Sequence, residues 1–130
     1  LKGSSFIYAG MEHQSTHHPS LFEYDEVKWQ PSLSLEPFFR RLALFKKQPI
    51  FTHGQFHIHH QEDVVVIRYQ YQHQMVVGIF NLEQQTKVKV PLIDGIYTNF
   101  INEHDVIVKD SSIELNDEPI IIDTLKEHFL

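Results

Sequence analysis

Almost everything after Gly54 alternates, and that two-residue period constrains the fold more than any other feature of the sequence. In DVVVIRYQYQ, Val65, Ile67, Tyr69 and Tyr71 alternate with Val64, Val66, Arg68 and Gln70. GQFHIHHQ precedes this stretch, and QMVVGIFN, TKVKVPL, GIYTNFI, DVIVKD, SSIELN and EPIIIDT follow it, which makes about eight strands. Gln72-His73, Asp94-Gly95 and Asn116-Asp117 are the turn candidates. No helix-length segment separates the strands, so a parallel sheet with crossover helices is not expected. The pattern predicts a mainly β chain, an antiparallel β-sandwich of Greek-key type over residues 51–130. Tyr69 and Tyr71 share a face with Val65 and Ile67, which predicts core packing for them.

One α-helix is predicted ahead of the strands. Ser34 can cap it, Glu36 and Pro37 suit its first turn, Lys46 and Lys47 its last, and Pro49 stops it. At about 100° per residue, Leu35, Phe38, Phe39, Leu42, Ala43 and Phe45 spread over roughly 160° of its surface. Such a face calls for two packing layers, and it is expected to promote a homodimer where one layer is missing. Residues 10–33 have no sustained period and read as a long loop, following a short strand-like run at Phe6 to Ala9.

Composition narrows the function classes. Seventeen acids against eleven bases give a net charge of -6, and the bases occur as scattered pairs such as Arg40-Arg41 and Lys46-Lys47. No nucleic-acid partner and no membrane partner is expected, because both need clustered cations. The chain has no cysteine. Disulfides, Cys-ligated zinc and a Cys nucleophile are thereby excluded, and a reducing, cytoplasmic setting is slightly favoured.

Two clusters have the residue types for chemistry. His57 and His59 sit two apart in FHIHHQ and would share one face of a strand, as zinc ligands do, with His73 or His104 as completions. Against that, Phe56 and Ile58 are expected to face the core, leaving His57 and His59 as ordinary solvated residues. Glu12 and His13 offer an acid beside a base, but hydrolysis needs a second carboxylate at a defined distance. No nucleophile elbow surrounds Ser4, Ser5 or Ser20, and no glycine-rich phosphate loop exists. No cofactor is predicted. Trp29 is the freest aromatic ring for stacking on a sugar.

GSSFIYAGMEH, at Gly3 to His13, resembles the strand that closes the catalytic barrel in the α-amylase family of glycoside hydrolases, family 13. Gly3, Ile7, Tyr8, Gly10 and Glu12 match its Gly-x-Pro-x-Ile-Tyr-x-Gly-x-Glu pattern, and Ser5 replaces the proline. PSLFEYDEVKW resembles the loop that follows, PFFRRLALFKKQPIFTHGQF the eighth barrel helix and its exit, and the later strands that family's C-terminal β-domain. The resemblance implies that residues 1–50 are a remnant of a (β/α)8 barrel and 51–130 the C-terminal domain. It also implies that the three catalytic carboxylates lie upstream, so no catalytic residue is expected here. The expected role is a non-catalytic structural domain whose partner is the missing barrel of an enzyme acting on α-glucosidic bonds. The alternative is a module binding a starch-like α-glucan.

Overall fold

The structure, a computed structural model, describes residues 6–7, 10–17, 20, 22–26 and 34–130. The chain forms two compact units, residues 2–48 and 49–130.

In the first unit, Phe6 and Ile7 are exposed and form no strand, while Tyr8 and Ala9, the rest of the expected strand, lie outside the described residues. A 3-10 turn at Met11–His13 follows. Gly10 enters it with φ 95°, a left-handed conformation that favours glycine. The Leu35 N–H then donates to the Glu12 carbonyl at 2.6 Å, tying this turn to the start of α1 (Glu36–Lys46). The N-cap position of α1 is Leu35 and not Ser34, whose Oγ accepts the Glu36 N–H at 3.3 Å from one residue further out. Glu36 also accepts from Arg40 one turn on, at 2.7 Å from Nη2, and this ion pair holds its carboxyl below the usual carboxylate range. On the apolar face Phe45 is buried and Phe38, Phe39 and Leu42 are half-buried, whereas Ala43 and Leu44 are exposed.

The second unit opens with α2 (Pro49–His53), so Pro49 both follows the end of α1 and starts another helix, where its missing N–H costs nothing. Gly54 ends α2 with no room for a side chain. A Cβ there would lie 2.2 Å from the Ile50 carbonyl oxygen and 3.0 Å from that of Gln70.

Eight strands follow: β1 (Gln55–Gln61), β2 (Val64–Tyr71), β3 (Gln74–Asn81), β4 (Lys87–Lys89), β5 (Gly95–Thr98), β6 (Asp105–Lys109), β7 (Ser112–Glu114) and β8 (Ile120–Leu125). They make two antiparallel four-stranded sheets, ordered β1-β2-β3-β8 and β4-β7-β6-β5. In the second sheet β5, β6 and β7 run consecutively and β4 lies beside β7, which is a Greek key. The predicted turn at Gln72-His73 joins β2 to β3, with Gln72 at φ 52°.

Burial corrects the predicted inward face of β2. The sandwich core holds Val64 and Val66 with Met75, Val77, Ile79, Val88, Val106, Val108, Ile113, Ile120 and Ile122. Ile67 and Tyr69 are also buried, at 6% and 3% exposure, but they occupy the opposite face of the strand. Four successive apolar residues, Val64 to Ile67, give no phase, because both faces of this strand are buried. Register puts Tyr69 beside Phe56 and Val76, and the Phe51 and Phe56 rings lie 5.0 and 4.9 Å from the Tyr69 ring. The first sheet is therefore apolar on both sides.

Candidate functional site

In the opening motif, the structure describes Phe6, Ile7 and Gly10 to His13. The Glu12 carboxylate folds back to accept the Gly10 N–H at 3.0 Å, a local turn contact. Gly3, Tyr8 and Trp29 lie outside the described residues.

His57 and His59 lie on β1, an edge strand of the first sheet. Their cross-strand partners are Arg68 and Val66, so they share the face of the sandwich core and not its outer face, contrary to the expected phase. Both are exposed all the same. Phe56 is half-buried and Ile58 is 53% exposed on the outer face. An edge strand is covered on neither side as fully as its neighbours, which is why alternation misjudged it. His73 sits in the β2–β3 turn, and His104 precedes β6. Among the described residues no group of three or more His, Asp or Glu could hold a metal ion.

Two other features were marked by no sequence period. The first is a groove of about 580 Å³ along β6 and β7, lined among others by Lys87, Asn102, His104, Lys109, Glu114 and Asn116. Register places Ile107 of β6 opposite Ile96 of β5, and both are well exposed, so aliphatic side chains border the polar ones. The second is Asn99, which is 3% exposed and hydrogen-bonded through both side-chain polar atoms. Its Oδ1 accepts the N–H groups of Ile101 at 3.1 Å and Ile121 at 2.9 Å, and its Nδ2 donates to the Pro119 carbonyl at 3.1 Å. This side chain fixes the loop before β6 against the start of β8, and thereby joins the two sheets.

The electrostatics are those of a framework. Asp94 accepts the N–H groups of Asp110 and Ser111 at 2.9 and 3.0 Å, closing the β6–β7 turn against the approach to β5. The Ser111 and then the Asp110 bond hold its carboxyl below the usual range. Burial raises the Tyr97 hydroxyl, which donates to the Ile93 carbonyl at 2.8 Å. The Arg68 guanidinium stacks on Phe129, 4.7 Å from the ring centroid. Phe129 itself bridges to Leu92 and packs on the core.

Comparison with known proteins agrees with this framework. The chain is similar to an α-amylase from Lactobacillus plantarum, with a TM-score of 0.79 at 25% identity over 95% of this chain and 30% of that one. A maltogenic α-amylase, AmyB, from Thermotoga neapolitana shares the fold, with a TM-score of 0.73 at 18% identity over 96% of this chain and 34% of that one. The chain thus spans about a third of the length of these two amylases. A comparison with curated proteins finds no match. The bacterial α-amylase C-terminal domain family matches residues 55–122, the interval from the first residue of β1 into β8 and just over half of the 130 residues. The chain therefore belongs to the bacterial α-amylase C-terminal domain family.

Proposed function

We propose that residues 51–130 act as a non-catalytic domain that covers and stabilises the catalytic barrel of an enzyme acting on α-glucosidic bonds, with residues 1–50 as the last strand, loop and helix of that barrel. The observation that carries this is the first sheet. Its inner face makes the sandwich core, and its outer face is again apolar, with Val65, Ile67, Tyr69, Val76 and Phe80 in register. A sheet apolar on both faces belongs between two layers. Burial of apolar surface at about 25 cal/mol per Å² would tie the stability of the barrel to that of this domain. The chain alone should release no product from a chromogenic maltooligosaccharide, and reproducible turnover would end the reading.

The groove beside β6 and β7 favours a second reading, binding of an α-glucan. Asn102, His104, Lys87 and Glu114 offer donors and acceptors of both kinds in a space that suits a small ligand. Affinity electrophoresis in glycogen gels tests it. Retardation lost in Asn102→Ala assigns binding to the groove, and retardation lost in Trp29→Ala assigns it to the loop. A homodimer is the third element of the proposal, expected first from the apolar face of α1, and the edge of β1 offers a second surface for it.

A further inference from the structure

We propose that two copies of this chain join edge to edge along β1, in an antiparallel pair centred on Ile58, and that the joined edge forms a site for a divalent transition-metal cation such as zinc. The site deepens the homodimer reading above and is incomplete in a single chain.

The hydrogen-bonding phase of β1 permits this register. β1 and β2 are joined by a two-residue turn, Glu62-Asp63, with Gln61 opposite Val64. The residues flanking such a turn exchange backbone bonds, and bonded and non-bonded pairs then alternate along the strands. Gln61, His59, His57 and Gln55 therefore direct their backbone groups to β2, while His60, Ile58 and Phe56 direct theirs to the open edge. In a two-fold pair centred on Ile58, Ile58 exchanges both bonds with the partner's Ile58, and Phe56 with the partner's His60. No ladder bond within the chain is given up.

The side chains fit the same symmetry. The strand reads Gln-Phe-His-Ile-His-His-Gln, so Gln55 meets the partner's Gln61 and His57 meets the partner's His59. His57 and the partner's His59 fall at a non-bonded position, where opposite Cα atoms lie only about 4.5 Å apart and side chains are closest. Each cross-strand pair of neutral imidazoles is a two-nitrogen site suited to zinc, with water filling the other positions. Arg68 faces His57 from β2 on the same side, and its guanidinium is held on the Phe129 ring.

The edge also lacks the usual guards. β1 is the longest of the four edge strands and carries no Lys, Arg, Asp, Glu or Pro, whereas β4 bears Lys87 and Lys89, β8 bears Asp123, and β5 has only four residues. Such edges are templates for pairing. One strand pair buries little surface compared with the roughly 1,200 Å² or more of a stable interface, so the cation supplies what the backbone bonds lack. A cation bound only by the dimer, at about ten times its dissociation constant, multiplies the association constant about ten-fold per site.

Sedimentation velocity of the chain in EDTA and in zinc chloride tests both parts, alongside Ile58→Pro and the His57→Ala, His59→Ala double variant. The proline removes only an N–H that faces the open edge, so the β1–β2 ladder and the circular dichroism spectrum should survive. Zinc should shift the wild type to dimer about ten-fold or more in association constant, with no shift in either variant. A monomer under all conditions, or a dimer unchanged by Ile58→Pro, would overturn the edge pairing. A dimer lost in Ile58→Pro but indifferent to zinc and to the histidines would overturn the cation site alone.

Discussion

Asn99 holds Ile121 across the two sheets, and the residue after it, Phe100, completes a two-way exchange of hydrogen bonds with Ile121. The Asn99 Oδ1 accepts the Ile121 N–H at 2.9 Å, and the Ile121 carbonyl accepts the N–H of the residue after Asn99, Phe100, at 2.7 Å. Ile121 belongs to β8 of the first sheet, and Asn99 follows β5 of the second. A side chain almost wholly out of water thus joins the layers at a corner that apolar packing alone would leave to slide.

Replacing Asn99 by alanine removes that joint and its three bonds, to the Ile101 and Ile121 N–H groups and to the Pro119 carbonyl. Buried polar groups left unpaired cost about 1–3 kcal/mol each, partly relieved by water reaching the loop. Asn99→Ala should therefore lose about 2–4 kcal/mol in urea denaturation. Asn99→Asp keeps the acceptor but loses the donor to Pro119, and should fall between the two.

The Tyr69 hydroxyl is buried without a hydrogen-bond partner among the described residues, and burial pushes its pKa above that of a free tyrosine. The ring, in contrast, packs well against Phe51 and Phe56. Tyr69→Phe keeps the ring and removes the orphaned oxygen, so stability should rise by about 1 kcal/mol, read as a higher thermal midpoint. Tyr69→Ala should instead cost about 3–5 kcal/mol through the cavity it leaves.

The Asp94 carboxylate gives the fold a defined acid limb. Its folded value is lowered by the Ser111 and Asp110 bonds, so its contribution is present above the unfolded carboxylate range near pH 4. That contribution is lost as pH falls from there through the lower folded value. Asp94→Ala should lower the urea midpoint at pH 7, and the gap from wild type should close on titration toward pH 2. A gap that stayed constant across that range would assign the effect to packing and not to charge.

How much of this was legible in the sequence depended on how one-sided each element is. All eight strands are readable because turn residues bound them and most alternate. β6 is the clearest, with Val106 and Val108 buried between exposed neighbours. β2 is a strand by composition, but its inner face is not readable, because Val64 to Ile67 are apolar throughout. β1 is misread in phase because its edge position exposes Ile58 and both histidines together. Asn99 leaves no trace, since an asparagine in a loop looks the same whether it faces water or bridges two sheets. The groove is equally silent, being assembled from β4, β6, β7 and the loops beside them.

Thermal inactivation of the proposed parent glycosidase tests the central claim most directly, comparing the intact enzyme with an Ile122→Ala variant. Ile122 is wholly buried in the sandwich core, and its truncation should cost the domain about 2–5 kcal/mol. A stabilising, non-catalytic domain predicts kcat/KM on a maltooligosaccharide unchanged within about two-fold at 25 °C, with inactivation several degrees lower. Loss of kcat/KM at a temperature where the variant remains fully folded, with no change in the inactivation temperature, would contradict it.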